Sequence, residues 1–265
     1  MKRIVVSLFT ACAFFTSPLS SAETLTVSAA ASLTNAYTEL GQAFEAKHAG
    51  DKVEFNFAAS GALLQQIIQG APVDVFASAD QATMDKAQAE GMIKEGTRAD
   101  FIGNGLVLIV PIDSKLNITS MQDLTTDQVK LIAMGNPDTT PNARYARAAM
   151  QKEGVWAGVE PKLVLAANVR QSLNYVSQGE VEAGFVFSTD AKQDEGKVKV
   201  VLVIPTVKAG AKEGEWEPSP IVYPIAEIKQ SNKPLAAEFI AFVLSDEGQA
   251  ILAKYGFVPV NEMGQ

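Results

Sequence analysis

Ala29-Ala30-Ala31-Ser32-Leu33-Thr34-Asn35-Ala36 is the stretch that decides the fold. It closes an apolar, strand-like run, Leu25–Ala30, and opens a helix-like run, Thr34–Ala49, where Ala36, Leu40, Ala43 and Phe44 recur at helical spacing. Phe57-Ala58-Ala59-Ser60-Gly61-Ala62-Leu63 makes the same transition after the strand-like Val53–Phe57. Each segment places an uncharged serine at a helix start, where backbone N–H groups lack intrahelical partners. Two such starts facing one cleft could hold an oxyanion with hydrogen-bond donors alone. The plain alternative is that both serines are helix N-caps, worth about 1 kcal/mol each. Three features favour the anion site. Both serines follow strands of an open α/β pattern, where ligands gather at strand carboxyl ends. Each is preceded by alanine, Ser60 is followed by glycine, and no adjacent charge would fill the site.

Outward from these segments the alternation continues. Leu63–Gln69 reads as a short helix stopped by Gly70, and Val73–Ala77 as a buried strand. Asp80 caps a helix running to Glu90 and ending at Gly91. This order predicts a mostly parallel sheet covered on both faces. A second block repeats it: strands at Leu106–Pro111, Val129–Met134, Leu163–Ala166, Ala183–Phe187 and Val198–Ile204, with helices at Asn142–Lys152 and Val169–Ser177. Tyr223–Ile228 reads as a strand, and Pro234–Leu244 and Asp246–Tyr255 as helices. Gly103-Asn104-Gly105 and Pro220–Pro224 are the expected crossings between two lobes, which would form a hinge.

The ends and composition narrow the function. Met1-Lys2-Arg3, the apolar run Ile4–Leu19 and Ser20-Ser21-Ala22 predict a cleaved export signal over residues 1–22. A lipid anchor at Cys12 is the alternative, but Phe9-Thr10-Ala11 is a poor lipobox. Cleavage removes the only cysteine, and with it thiol catalysis and Cys-based metal sites. The one histidine, His48, sits among charged residues and reads as a solvated surface residue, which disfavours zinc sites and Ser-His-Asp chemistry. The formal charge of −8 becomes about −10 without Lys2 and Arg3. An acidic chain is a poor partner for nucleic acid or anionic membranes, so any anion site must work through local donors. The 47% hydrophobic content supports a large core.

Three further segments carry candidate chemistry. Gly70-Ala71-Pro72-Val73-Asp74-Val75-Phe76-Ala77-Ser78-Ala79-Asp80 reads as turn, strand and cap; Asp74 and Asp80 lack a third ligand for a metal. Pro141, in Gly135-Asn136-Pro137-Asp138-Thr139-Thr140-Pro141-Asn142-Ala143-Arg144-Tyr145, suits a first helical turn, with free N–H groups after it. Asn168-Val169-Arg170 is another helix start. Trp156, Trp216 and Phe187 read as packing residues, and no Walker or dinucleotide motif occurs.

On the two serine segments, Gly70–Asp80 and Lys254-Tyr255-Gly256-Phe257, the chain resembles the periplasmic molybdate-binding proteins of ABC transporters, over essentially its whole mature length. The resemblance implies a two-lobed α/β fold of the type II periplasmic binding protein class, with a ligand cleft between lobes. Lobe one would span 23–103 and 224–265, and lobe two 104–223. It implies an exported monomer that captures molybdate or tungstate and delivers it to an inner-membrane permease. No cofactor, no metal beyond that of the oxyanion, no catalysis and no nucleic-acid partner are implied.

In that family two serines from one lobe face backbone N–H groups and a tyrosine hydroxyl from the other. The serines match Ser32 and Ser60; the backbone donors fall on Asn142, where the family often has alanine, and Val169; the tyrosine falls on Phe187. Phe187 cannot donate. A lost hydrogen bond to a charged partner is worth roughly 1.5–3 kcal/mol. Tyr145, Ser188 and Asn142 are the candidates to replace it.

A donor-only cage suits a fully deprotonated dianion and disfavours monohydrogen phosphate, which needs an acceptor for its proton. Sulfate carries the same charge on shorter bonds, so cage size must exclude it. The alternatives are another oxyanion or a small organic acid, a ligand-sensing module, or an enzyme on a similar fold, for which the sequence offers no nucleophile–base pair.

Overall fold

A computed structural model describes residues 22–207 and 217–262. The export signal through residue 21, with Cys12, and Trp216 lie outside the described residues. In chain order the described elements are β1 (Thr24–Ala30), α1 (Thr34–Lys47), β2 (Lys52–Ala58), α2 (Ser60–Ile68), β3 (Val75–Ala77), α3 (Gln81–Ala89) and β4 (Ala99–Asn104). Then come β5 (Leu106–Pro111), β6 (Ile132–Gly135), α4 (Pro141–Lys152), α5 (Trp156–Val159), β7 (Leu163–Ala166), α6 (Val169–Ser177), β8 (Ala183–Phe187), α7 (Ser188–Gln193) and β9 (Val198–Ile204). β10 (Ile221–Glu227), α8 (Pro234–Leu244), α9 (Asp246–Lys254) and β11 (Val258–Pro259) complete the order.

Two sheets result. One runs β11-β4-β10-β3-β1-β2, the other β7-β6-β8-β5-β9. The chain passes from the first to the second at Gly105 and has returned by Ile221. Both sheets are mixed, which corrects the mostly parallel expectation. β1 pairs parallel with β2 and β3, whereas β10 runs antiparallel to β3 and β4. β5 runs antiparallel to β8 and β9. The crossing strands have no helical crossover to turn them parallel, so they enter with opposite sense.

β4 escaped the sequence reading because Asp100, Gly103 and Asn104 give it no strand signature; pairing with β10 and β11 makes it a strand. Proline is excluded from central ladders except at bulges. Pro224 accordingly sits at a register shift of β10 opposite β4, next to Tyr223.

α1 buries Ala36, Tyr37, Leu40 and Phe44 against β2 and α8. Tyr37, Phe55, Phe101 and Phe239 meet there with ring centroids 5.9–6.1 Å from Tyr37. Each such buried ring contributes about 1.5–3 kcal/mol. His48 is not simply solvated: its ring stacks on Phe44 at 3.9 Å and its Nε2 lies 3.1 Å from Glu238 of α8. It closes α1 onto the neighbouring helix.

Candidate functional site

Ser32 lies in a single 3-10 turn, Ala31–Leu33, between β1 and α1. Ser60 is the first residue of α2. Neither is an N-cap: those positions belong to Ala30 and Ala59, and no side chain caps either turn. Both hydroxyls are turned to other work. Ser60 Oγ accepts from the Ala79 N–H at 3.0 Å. Ser32 Oγ lies 3.0 Å from the hydroxyl of Tyr223. Both serines are buried.

The opposite wall comes from the second sheet. Pro141 opens α4, so Asn142 follows as the first residue able to present an N–H. Asn168 caps α6 by accepting from Gln171 N at 3.1 Å, which places Val169 at its first position. Neither amide meets a protein acceptor among the described residues. Phe187 ends β8, is buried, and packs edge-on to Tyr223 at 5.7 Å.

Ser32, Ser60, Asn142, Val169 and Phe187 line one cavity, with about 10 Å³ of room for the centre of a water-sized sphere. That is room for about one water molecule. Alanines 30, 31, 58, 59 and 79 supply much of the remaining wall, and among the described residues no charged side chain lines it.

Charges stand outside the cavity and close the cleft. Arg144 of α4 donates from Nε and Nη2 to Asp80 Oδ2 at 2.9 and 2.7 Å, and to Thr83 Oγ1 at 2.7 Å. Asp80 also caps α3. Asp74 is held by Lys233 and Ser231, so the two aspartates serve separate contacts. Arg170 Nη2 donates to the Ser32 carbonyl at 3.2 Å. Its Nε stands 2.6 Å from Asp190, a close ion contact that is not aligned as a hydrogen bond. Burial pushes the Asp190 carboxyl up to about 6, against the pull of Arg170. Burial first, then Asp190, raises the Tyr223 phenol well above its usual range, so it remains a neutral donor.

The model of the family described as bacterial extracellular solute-binding protein matches residues 25–258. The chain belongs to that family. This solute-binding protein is 36% identical over 242 residues to the molybdate-binding protein ModA of Escherichia coli, covering 88% of each chain. It superposes with a TM-score of 0.64, at 36% identity, on the substrate-binding domain of a candidate molybdenum ABC transporter from Clostridium difficile, covering 90% of this chain and all of that one. The periplasmic molybdate-binding protein of Azotobacter vinelandii shares the two-lobed fold at a TM-score of 0.72 and 23% identity, covering 88% of this chain and 98% of that one.

Of the three candidate replacements for the missing tyrosine hydroxyl, Ser188 and Tyr145 present no free donor to the cavity of this solute-binding protein, and Asn142 has one amide hydrogen already engaged. Asn142 Nδ2 donates to the Phe185 carbonyl at 3.1 Å, leaving its buried Oδ1 without a partner. Ser188 Oγ donates to Asn104 Oδ1 at 2.9 Å. Tyr145 is buried away from the cavity lining. The sequence reading missed Tyr223 and Asn104, which it placed only as a strand start and a crossing. The signal available was a phenol beside a proline in an otherwise apolar strand, where a buried hydroxyl needs a partner.

Proposed function

We propose that this chain is an exported receptor for molybdate or tungstate. It closes two lobes on the oxyanion, holds it by hydrogen bonds alone and hands it unchanged to an inner-membrane ABC permease. The observation that carries this reading is the small, uncharged cavity where two serine hydroxyls face the first-turn amides of Asn142 and Val169. Backbone amides only donate and the hydroxyls can donate, which matches a dianion that only accepts. The relatives named as molybdate-binding support the choice among dianions.

Ser32 and Ser60 bind from one lobe; Asn142 and Val169 donate backbone N–H groups from the other, with Phe187 closing the wall. The lobes divide where the chain passes from β4 to β5 and where it enters β10. The protein acts as a monomer in the periplasm after losing residues 1–22. Capture shifts an open–closed equilibrium, because only the closed form makes both sets of contacts.

Calorimetric titration of the mature protein with molybdate, tungstate, sulfate and phosphate tests the reading. Tight binding of the first two alone is expected. Sulfate or phosphate bound as tightly as molybdate would refute it.

A further inference from the structure

The amide of Asn104 is held in one orientation. Its Oδ1 accepts from the Gly105 N–H at 2.9 Å, so its Nδ2 is the group that meets the Tyr223 oxygen at 3.1 Å. With that donor in place, the Tyr223 hydrogen has one neighbour to go to, Ser32 Oγ at 3.0 Å. The reverse arrangement would leave a phenolic O–H unpaired in a ring with no exposed surface, a costly state for a buried polar group. Ser32 thus receives a hydrogen bond from behind, and its own O–H is left for the cavity. Ser60 is set the same way by the Ala79 N–H.

We propose that Tyr223 and Asn104 are positioning residues that fix the hydrogen-bond polarity of the site, holding Ser32 as a donor so that the cage takes fully deprotonated oxyanions over protonated ones. This rests on the oxyanion-receptor reading above. A serine hydroxyl without such a partner can rotate and accept a proton from a ligand such as monohydrogen phosphate. The relay removes that freedom. Its members come from β4, β10 and the turn after β1, all built on the first sheet, so the polarity is set before the lobes close. The buried acceptor left without a partner in the cavity wall, among the described residues, is Asn142 Oδ1, on the opposite side.

A double-mutant cycle tests the relay in the mature protein, with molybdate, tungstate, sulfate and monohydrogen phosphate as probes. Tyr223→Phe is expected to weaken molybdate about ten-fold when Ser32 is present and by less than about two-fold in a Ser32→Ala background. It should also narrow the preference for molybdate over phosphate. Equal losses in both backgrounds, with the preference unchanged, overturn the proposal, because a merely structural tyrosine acts independently of Ser32. Should thermal melting show Tyr223→Phe unfolded, Asn104→Asp replaces it in the cycle. That side chain still accepts from Gly105 and Ser188 but draws the Tyr223 hydrogen away from Ser32; its loss must likewise shrink without Ser32. A wild-type protein that binds neither molybdate nor tungstate overturns the underlying reading and the relay together. Wild-type binding with an additive cycle overturns the relay alone.

Discussion

Asp80 and Arg144 meet across the cleft, and two guanidinium nitrogens share one carboxylate oxygen, at 2.9 and 2.7 Å. Asp80 has no exposed surface, while Arg144 keeps 18% of its side chain exposed. Opening separates the pair and lets water reach the carboxylate. Arg144→Ala therefore penalises the closed state selectively, since it strands a buried charge only there. Partial exposure keeps the effect below that of a fully buried pair, at about 1–2 kcal/mol, or roughly ten-fold in affinity. The loss should appear as faster ligand release in stopped-flow measurements. An unchanged release rate would remove Arg144 from the closing mechanism.

At Gly61 the backbone of α2 makes direct contact with the Thr139 backbone of the second lobe. Its N–H donates to the Thr139 carbonyl at 2.9 Å, and a Cβ placed on it would lie 2.7 Å from that oxygen and 2.9 Å from Thr139 Cα. Both are backbone atoms that cannot turn aside. Gly61→Ala is expected to leave the unliganded melting temperature nearly unchanged, because helix α2 tolerates alanine. It should lower oxyanion affinity by about ten-fold or more through incomplete closure. Small-angle scattering with saturating molybdate would show whether the variant still compacts.

Phe187→Tyr would place a hydroxyl where the family resemblance expects one. Ser188 Oγ is already committed to Asn104, and one of the two hydrogens of Asn142 Nδ2 to Phe185. A new donor should therefore tighten molybdate binding, by about ten-fold if the hydroxyl reaches an oxyanion oxygen. Calorimetry on the variant decides. Unchanged affinity would mean that the cage already satisfies the ligand, and a weaker complex would mean that the cavity has no room for the extra oxygen.

These outcomes depend on features that were unequally legible in the sequence. The strand-to-helix transitions at Ser32 and Ser60 were readable because period and flanking small residues are local signals. So were α6 and α8, whose ends are marked by Asn168 and Pro234. The antiparallel entry of β10 and the existence of β4 were not, since both arise from pairing between residues more than a hundred positions apart. The five candidate site positions could be named from the resemblance, but what stands behind Ser32 could not. Tyr223 is 191 residues away, and only the folded β10 bulge brings its hydroxyl to the serine. The N-cap reading of the two serines failed for a related reason. Capping is a local rule, and here tertiary partners claim both hydroxyls.

Asp190 gives the site a pH dependence of definite sign. Its carboxyl sits at about 6 because burial outweighs the attraction of Arg170, and its charge acts on Tyr223 behind Ser32. Above pH 6 a buried negative charge acts on Tyr223, behind Ser32; below it that charge is neutralised and Arg170 remains. Oxyanion affinity should therefore rise several-fold as pH falls through about 6, and binding near that pH should draw protons from the buffer. The same shift acts in the same direction on the unliganded fold. Between the usual carboxylate value of 3.8 and about 6 the native state holds the Asp190 proton more tightly than the unfolded chain does. The Asp190 contribution to stability thus falls as pH rises across that window and is flat above it. Asp190→Asn should flatten both profiles, measured as tungstate affinity in two buffers of different ionisation heat and as melting temperature against pH. If proton uptake near pH 6 persists in Asp190→Asn, another group carries the titration, and the buried carboxylate is structural alone.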